Sequence, residues 1–193
     1  MYLKVIKPIF DFVVSAFGLL LLGPVLILVS LILFFIHGSS PVFTQTRVGQ
    51  FGNCFTILKL KTIKDNGKSH WFLKLLRKTK IDELPQFINI LKGDMSLVGP
   101  RPDLPGYYDT LEGDKAKVLL LKPGITGYAT LQFANEEELL AKETHPRDYN
   151  DRVIFPKKVD LNFDYYKHVS FLFDLKILLK TILLPFYKSS VYL

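Results

Sequence analysis

Asp82 and Glu83 are adjacent carboxylates at the head of a short apolar-periodic run, and Gly99-Pro100-Arg101-Pro102 forms a rigid turn shortly after it. Arg77, Lys78 and Lys80 lie just upstream. An acidic pair among cations suits the handling of a phosphate ester. A carboxylate can attack phosphorus or hold a divalent cation, and a guanidinium grips phosphate oxygens in pairs. The plainer alternative is capping, because Asp and Glu commonly open helices. Leu84, Phe87, Ile88 and Leu91 recur at i, i+3, i+4, i+7, so a helix of about ten residues is expected from near Asp82, with Pro85 in its first turn. The pair would then sit at the positive end of the helix dipole, where carboxylates stay ionised and backbone N–H groups can face a phosphate.

Further cations stand on either side. Lys59 and Lys61 are two apart on a predicted strand and share a face, either as a cationic wall for phosphate or as a solvated strand edge. The sequence does not choose between the two lysines. Lys122-Pro123-Gly124-Ile125-Thr126-Gly127 is a second Gly/Pro turn. Gly124 and Gly127 permit close backbone approach to a ligand, and Lys122 and Thr126 can reach one; a purely structural turn is the alternative. His145 and His168 stand alone and are not read as ligands. The single cysteine, Cys54, excludes an intrachain disulfide, and Cys/His zinc spacing is absent.

The elements that must position these residues begin with a membrane segment. Residues 12–36 carry no charge, and as a helix they would extend about 37 Å, enough to cross a hydrocarbon core of about 30 Å. Gly23-Pro24 lies within the run, so a bend is expected there. A single kinked span and a re-entrant hairpin both fit these residues. Lys4 and Lys7 precede the run and favour a cytoplasmic N-terminus.

Residues 42–46 and 55–61 alternate and predict a β-hairpin around a Gly-rich loop. Asp65-Asn66-Gly67 is a turn. Trp71, Phe72, Leu75 and Leu76 predict a basic amphipathic helix, fit either for core packing or for a lipid interface. Ser96-Leu97-Val98 is a short strand, and one helix is expected between residues 105 and 122. A helix start follows at Glu136-Glu137-Glu138, and residues 145–156 look irregular. Residues 161–188 are apolar but interrupted by charges, which suits an amphipathic helix on the core or in the membrane plane better than a span. The formal net charge of +7 suits an anionic partner: a phosphorylated substrate, anionic lipid or nucleic acid.

Together these motifs resemble the bacterial sugar transferase family, in its small, monotopic phosphoglycosyl transferase form. The resemblance rests on Lys7 with Phe10-Asp11, Pro24, Val42-Phe43-Thr44-Gln45-Thr46-Arg47-Val48-Gly49 and Phe55 with Lys59-Leu60-Lys61-Thr62. It continues through Asp82-Glu83-Leu84-Pro85-Gln86, the stretch from Gly93-Asp94 to Arg101-Pro102, and the turn from Lys122 to Gly127. Asp164-Tyr165-Tyr166 and Asp174-Leu175-Lys176-Ile177 complete it.

The resemblance implies an α/β (α+β) fold in two parts. Residues 1–37 would be a re-entrant membrane helix-break-helix, and residues 38–193 a small mixed catalytic domain with a β-hairpin and amphipathic interfacial helices, on the cytoplasmic face of a bacterial inner membrane. It implies transfer of a phosphosugar from a UDP-sugar to polyprenyl (undecaprenyl) phosphate with release of UMP, as the first membrane step of polysaccharide assembly. Asp82 would be the nucleophile and Glu83 the magnesium ligand. Arg77, Arg101 and Lys59 or Lys61 would bind phosphates, and Lys122, Gly124, Thr126 and Gly127 would contact the nucleotide. No nucleic-acid partner is implied, and the oligomeric state is left open. The stretch Ala129-Thr130-Leu131-Gln132 departs from the family pattern, as does Lys61 where many relatives carry arginine. The competing class is a non-enzymatic, membrane-anchored binding module for anionic lipid or nucleic acid.

Overall fold

The computed structural model describes residues 1–63 and 70–184. The Asp65-Asn66-Gly67 turn and the end of the C-terminal apolar stretch lie outside the described residues.

A π-helical turn, Tyr2–Ile6, leads into α1, Lys7–His37. The expected break at Gly23-Pro24 is not an interruption: α1 is helical throughout, with Pro24 inside it. Proline removes one backbone donor, and the long flanking helical runs carry the structure across that gap. The helix ends at Gly38, whose φ of 63° is the left-handed cap and whose N–H donates to Phe34 O at 2.8 Å. Of the described helices, Tyr2–His37 alone is long and apolar enough to cross a membrane.

One face of α1 is docked along its length. Lys7, Asp11 and Ser15 are buried near its start, and Leu26, Val29 and Leu33 near its end. The opposite face leaves Phe12, Phe17, Leu20, Ile27, Leu31 and Phe35 exposed.

The hairpin forms as predicted. β1, Val42–Val48, pairs antiparallel with β2, Cys54–Leu60, from Val42↔Leu60 to Val48↔Cys54. In α2, Trp71–Lys78, the buried residues are Leu73 and Leu76, which join Leu26, Val29, Leu33 and Leu60 in one cluster. The predicted stripe of Trp71, Phe72, Leu75 and Leu76 is therefore rotated, and Trp71 and Leu75 are 68% and 44% exposed.

The helix expected from Asp82 divides into a 3-10 turn, Ile81–Glu83, and α3, Gln86–Leu91. Leu84 and Pro85 keep right-handed helical angles between them. β3, Ser96–Val98, pairs in parallel with β4, Gly124–Thr126. The single helix expected between them is instead two 3-10 stretches, Tyr108–Thr110 and Gly113–Leu120. Gly106 and Gly113, at φ of 98° and 62°, interrupt any longer α-helix.

Short helices α4, Tyr128–Gln132, and α5, Glu136–Leu140, follow. The stretch read as irregular is helical: α6, Pro146–Tyr149, passes through a π turn, Asn150–Ile154, into α7, Phe155–His168. Its prolines stand in the first turns of α6 and α7, the second directly after the π turn. α8, Phe171–Leu183, is separate, because the chain turns at Val169-Ser170 and Ser170 Oγ accepts from Phe173 N at 3.3 Å.

The main core gathers Ile57, Ile90, Met95, Val98, Tyr165 and Ile177 from the hairpin, α3, β3, α7 and α8. Polar contacts fasten α1 to this body at both ends. Lys7 and the Tyr2 hydroxyl both donate to Asp174 Oδ2, and Tyr165 donates to Asp174 Oδ1 at 2.6 Å. Asp11 accepts from Ser96 Oγ at 2.7 Å and Leu97 N at 3.3 Å. At the far end, His37 Nε2 meets Lys61 O at 2.8 Å.

Candidate active site

The 3-10 turn presents Asp82 and Glu83 away from the apolar cluster into which their flanking residues, Ile81 and Leu84, pack. Both carboxylates are buried, at 7% and 6% exposure. Such groups need partners, and among the described residues it is Glu83 that bonds the cations. Glu83 Oε1 accepts from Lys59 Nζ at 3.0 Å and from Arg101 Nη2 at 2.9 Å. Burial pushes the Glu83 carboxyl up, but Arg101, Lys59 and Lys80 outweigh it and hold the group at about 2. Among the described residues Asp82 makes no bond to these cations, and its buried Oδ1 has no hydrogen-bond partner. Burial, and next the charge of Glu83, raise the Asp82 carboxyl above its ordinary value against the pull of Lys59 and Lys80. Among the described residues one carboxylate is thus neutralised in place, and the other is desolvated and outside those bonds.

Three attachments bring these groups together. Asn89, on α3, donates to Thr56 O at 2.8 Å and accepts from Leu58 N at 3.0 Å, pinning α3 to β2 and so Glu83 to Lys59. Arg101 follows β3 on a turn held by β4, with Gly99 N donating to Thr126 O at 2.9 Å and Gly124 N to Pro100 O at 2.8 Å. Arg47, at the end of β1, closes the turn from the other side. Its Nη1 donates to Pro102 O at 3.3 Å, while Val48 N donates to Asp103 O at 2.9 Å. Arg47, Ile57, Lys59, Gln86, Arg101 and Pro102 line a small cleft.

The predicted site residues are therefore distributed unevenly. Asp82, Glu83, Lys59 and Arg101 converge. Lys61 stands past the end of β2, with its backbone bonded to Pro41 O and His37. Arg77 is exposed in the last turn of α2, and the cations acting on the two carboxylates are Lys59, Arg101 and Lys80. In residues 122–127 the contacts are with the chain itself. Thr126 Oγ1 bonds Thr181 Oγ1 at 2.7 Å. A Cβ on Gly124 or Gly127 would lie 2.1 Å from the Gly99 backbone. Lys122 Nζ lies beside Gly93. Arg47 and Asn89 carry no separate signal in the sequence, because an arginine at a strand end and an asparagine inside an apolar helix have many ordinary uses.

Among the described residues no cluster of three or more His, Cys, Asp or Glu could form an all-protein metal cage. The Asp82–Glu83 pair, with the buried Asp82 Oδ1 unpartnered, does fit a hard cation of the magnesium kind, which takes one or two carboxylates and completes its shell with substrate phosphate and water.

Comparison with known proteins bears on this geometry. The chain is 36% identical over 190 residues to an uncharacterized sugar transferase, EpsL, of Bacillus subtilis (strain 168), covering 92% of this chain and 86% of that protein. It is 31% identical to a UDP-glucose:undecaprenyl-phosphate glucose-1-phosphate transferase of Escherichia coli (strain K12), over 98% of this chain but 42% of the relative. It is also 31% identical to a UDP-N-acetylgalactosamine-undecaprenyl-phosphate N-acetylgalactosaminephosphotransferase of Aeromonas hydrophila, over 92% of this chain and 43% of the relative. The chain thus spans less than half the length of these last two proteins. Residues 2–188 match the family described as bacterial sugar transferase, and the chain belongs to that family.

Proposed function

We propose that this chain transfers a phosphosugar from a UDP-sugar to polyprenyl phosphate at a bacterial inner membrane, with its catalytic domain, residues 38–193, on the cytoplasmic face. The observation that carries the reading is the asymmetry of the pair: Glu83 is held by Lys59 and Arg101, while Asp82 beside it is buried and, among the described residues, makes no ion pair.

In the first half-reaction an Asp82 oxygen attacks the phosphorus that bears the sugar. The bond from that phosphorus to the bridging diphosphate oxygen breaks, and UMP leaves with the bridging oxygen. An aspartyl phosphosugar remains. In the second half, an oxygen of polyprenyl phosphate attacks the same phosphorus and displaces the Asp82 carboxylate, forming the polyprenyl diphosphate sugar. Lys59 and Arg101 oppose the negative charge that would otherwise repel an attacking carboxylate. Magnesium, held by Glu83 with Asp82 alongside, would supply further neutralisation of the diphosphate. Arg77, Lys61 and the 122–127 turn are kept as substrate contacts on the family resemblance. The same turn already fixes Arg101 through Gly124 and Thr126.

Residues 1–37 act in this reading as a monotopic element that enters and leaves one face of the membrane. Its support is that Lys7 and His37, at opposite ends of α1, are both bonded to the same body. A crossing helix would place one end beyond about 30 Å of hydrocarbon. The exposed apolar face of α1, with Trp71 and Leu75 of α2 and Leu172 and Leu179 of α8, then meets lipid.

The test is UMP release from a panel of UDP-sugars with undecaprenyl phosphate and magnesium. One sugar should support turnover, and with that UDP-sugar alone the protein should gain the mass of a phosphosugar. Asp82→Asn should lose both signals. Turnover without any adduct, with UMP release strictly dependent on the acceptor, would replace the two-step route by direct transfer.

A further inference from the structure

Lys80 stands apart from the other cations around the dyad. Lys59 and Arg101 are committed to Glu83, and Arg47 to Pro102 O and Gln45. Lys80 is exposed, and its ammonium has no hydrogen bond or ion pair among the described residues. Its charge nevertheless reaches both Asp82 and Glu83.

Its place in the chain is equally distinctive. Lys80 joins α2 to the dyad turn, with its N–H donating to Arg77 O at 3.1 Å and its carbonyl accepting from Glu83 N at 3.1 Å. The next residue, Ile81, packs into the cluster that contains Leu26, Val29 and Leu33 of α1. Lys80 thus closely follows α2, whose Trp71 and Leu75 are exposed, and directly precedes the dyad turn, and it is not among the residues that line the cleft of Arg47, Lys59, Gln86 and Arg101. The backbone at Lys80 is left-handed, with φ of 57°. Glycine or asparagine adopts that conformation more easily, so lysine is retained at a conformational cost. A residue in a strained backbone conformation, with a cation that makes no ion pair among the described residues and stands next to the dyad, is a candidate for function.

We propose that Lys80 is the cation that receives the phosphate of the lipid acceptor, leaving the Lys59–Arg101 side to the nucleotide donor. A compact ammonium on a flexible stem suits this task. It can follow a phosphate whose prenyl tail stays in the apolar layer and bring it to the phosphorus carried by Asp82. The inference rests on the transferase reading above and divides that site between its two substrates.

The test uses the full chain in lipid nanodiscs. Lys80→Asn removes the charge and accepts the left-handed backbone, and Lys80→Arg keeps the charge. For Lys80→Asn the KM for undecaprenyl phosphate should rise at least about fivefold, the KM for the UDP-sugar should stay within about twofold, and the melting temperature should hold or rise. Lys80→Arg should restore the acceptor KM to within about twofold. An unchanged acceptor KM in Lys80→Asn, or an equal rise for both substrates, overturns the assignment while the transferase reading stands. A wild-type protein that releases no UMP from any UDP-sugar overturns both.

Discussion

Asp11 on the apolar N-terminal helix and Ser96 at the start of β3 are joined by a buried hydrogen bond of 2.7 Å, and the second Asp11 oxygen takes the N–H of Leu97. The apolar helix therefore grips the strand that delivers Arg101 to Glu83. Asp11→Ala strips two buried donors of their acceptor and should cost about 1–3 kcal/mol, whereas Asp11→Asn keeps an acceptor oxygen and should cost less. Thermal unfolding in detergent measures the difference. Equal losses would show that the carboxylate oxygens are not what holds β3.

Lys7 and Asp174 form a buried pair, with Tyr2 and Tyr165 also bonded to the carboxylate. Lys7→Met leaves Asp174 without its cation and should destabilise by about 3–5 kcal/mol, and Lys7→Met with Asp174→Leu should recover much of that loss. The double-mutant cycle checks it. Additive losses would mean that the two ends do not act as a pair.

Gly99 lies where β3 meets β4, and a Cβ there would come within 2.2 Å of Lys122 O. Backbone cannot yield as a flexible side chain can, so Gly99→Ala should abolish stable folding, seen as rapid limited proteolysis. Gly23→Ala meets nothing within 4 Å and should fold normally. A well-folded Gly99→Ala protein would contradict the close approach of the two strands.

The two carboxylates should separate in pH. On the proposed route Asp82 must be ionised to attack, and its carboxyl is raised by burial and by Glu83. The acid limb of kcat/KM should therefore lie above the ordinary aspartate value, and Lys59→Gln should move it higher by removing a cation that lowers Asp82. Glu83 behaves oppositely. Held at about 2 against 4.5 when free, it contributes ~3 kcal/mol of stability at neutral pH. That contribution is complete above the unfolded value and is lost as pH falls toward 2. Unfolding measured from pH 6 to pH 3 should show the loss begin in Lys59- and Arg101-containing protein and be muted in Glu83→Gln.

The sequence made some of this site legible and hid the rest for physical reasons. Alternation in residues 42–61 exposed the hairpin, because a half-buried ribbon has period two. Asp82-Glu83 and Arg101 stood out by residue type. The sequence could not show that Lys59 bonds Glu83, because that contact joins residues 24 apart. The helical character of residues 146–154 was concealed by Pro146 and Pro156, which read as breakers until they are seen to occupy first turns. Asn89 could not be read at all: its value depends on lying against β2, which no local pattern records.

The clasp between Lys7 and Asp174 also sets an order of events. Lys7 emerges from the ribosome 167 positions ahead of its partner, and Asp11 emerges 85 ahead of Ser96. The Lys7 end of the apolar helix therefore finds its partner only once residue 174 has been made. Contacts so distant in sequence close late. The Asp11 contact can close once β3 exists and the Lys7 clasp only once α8 follows, so a product that stops before α8 would keep the first attachment of α1 and lack the second.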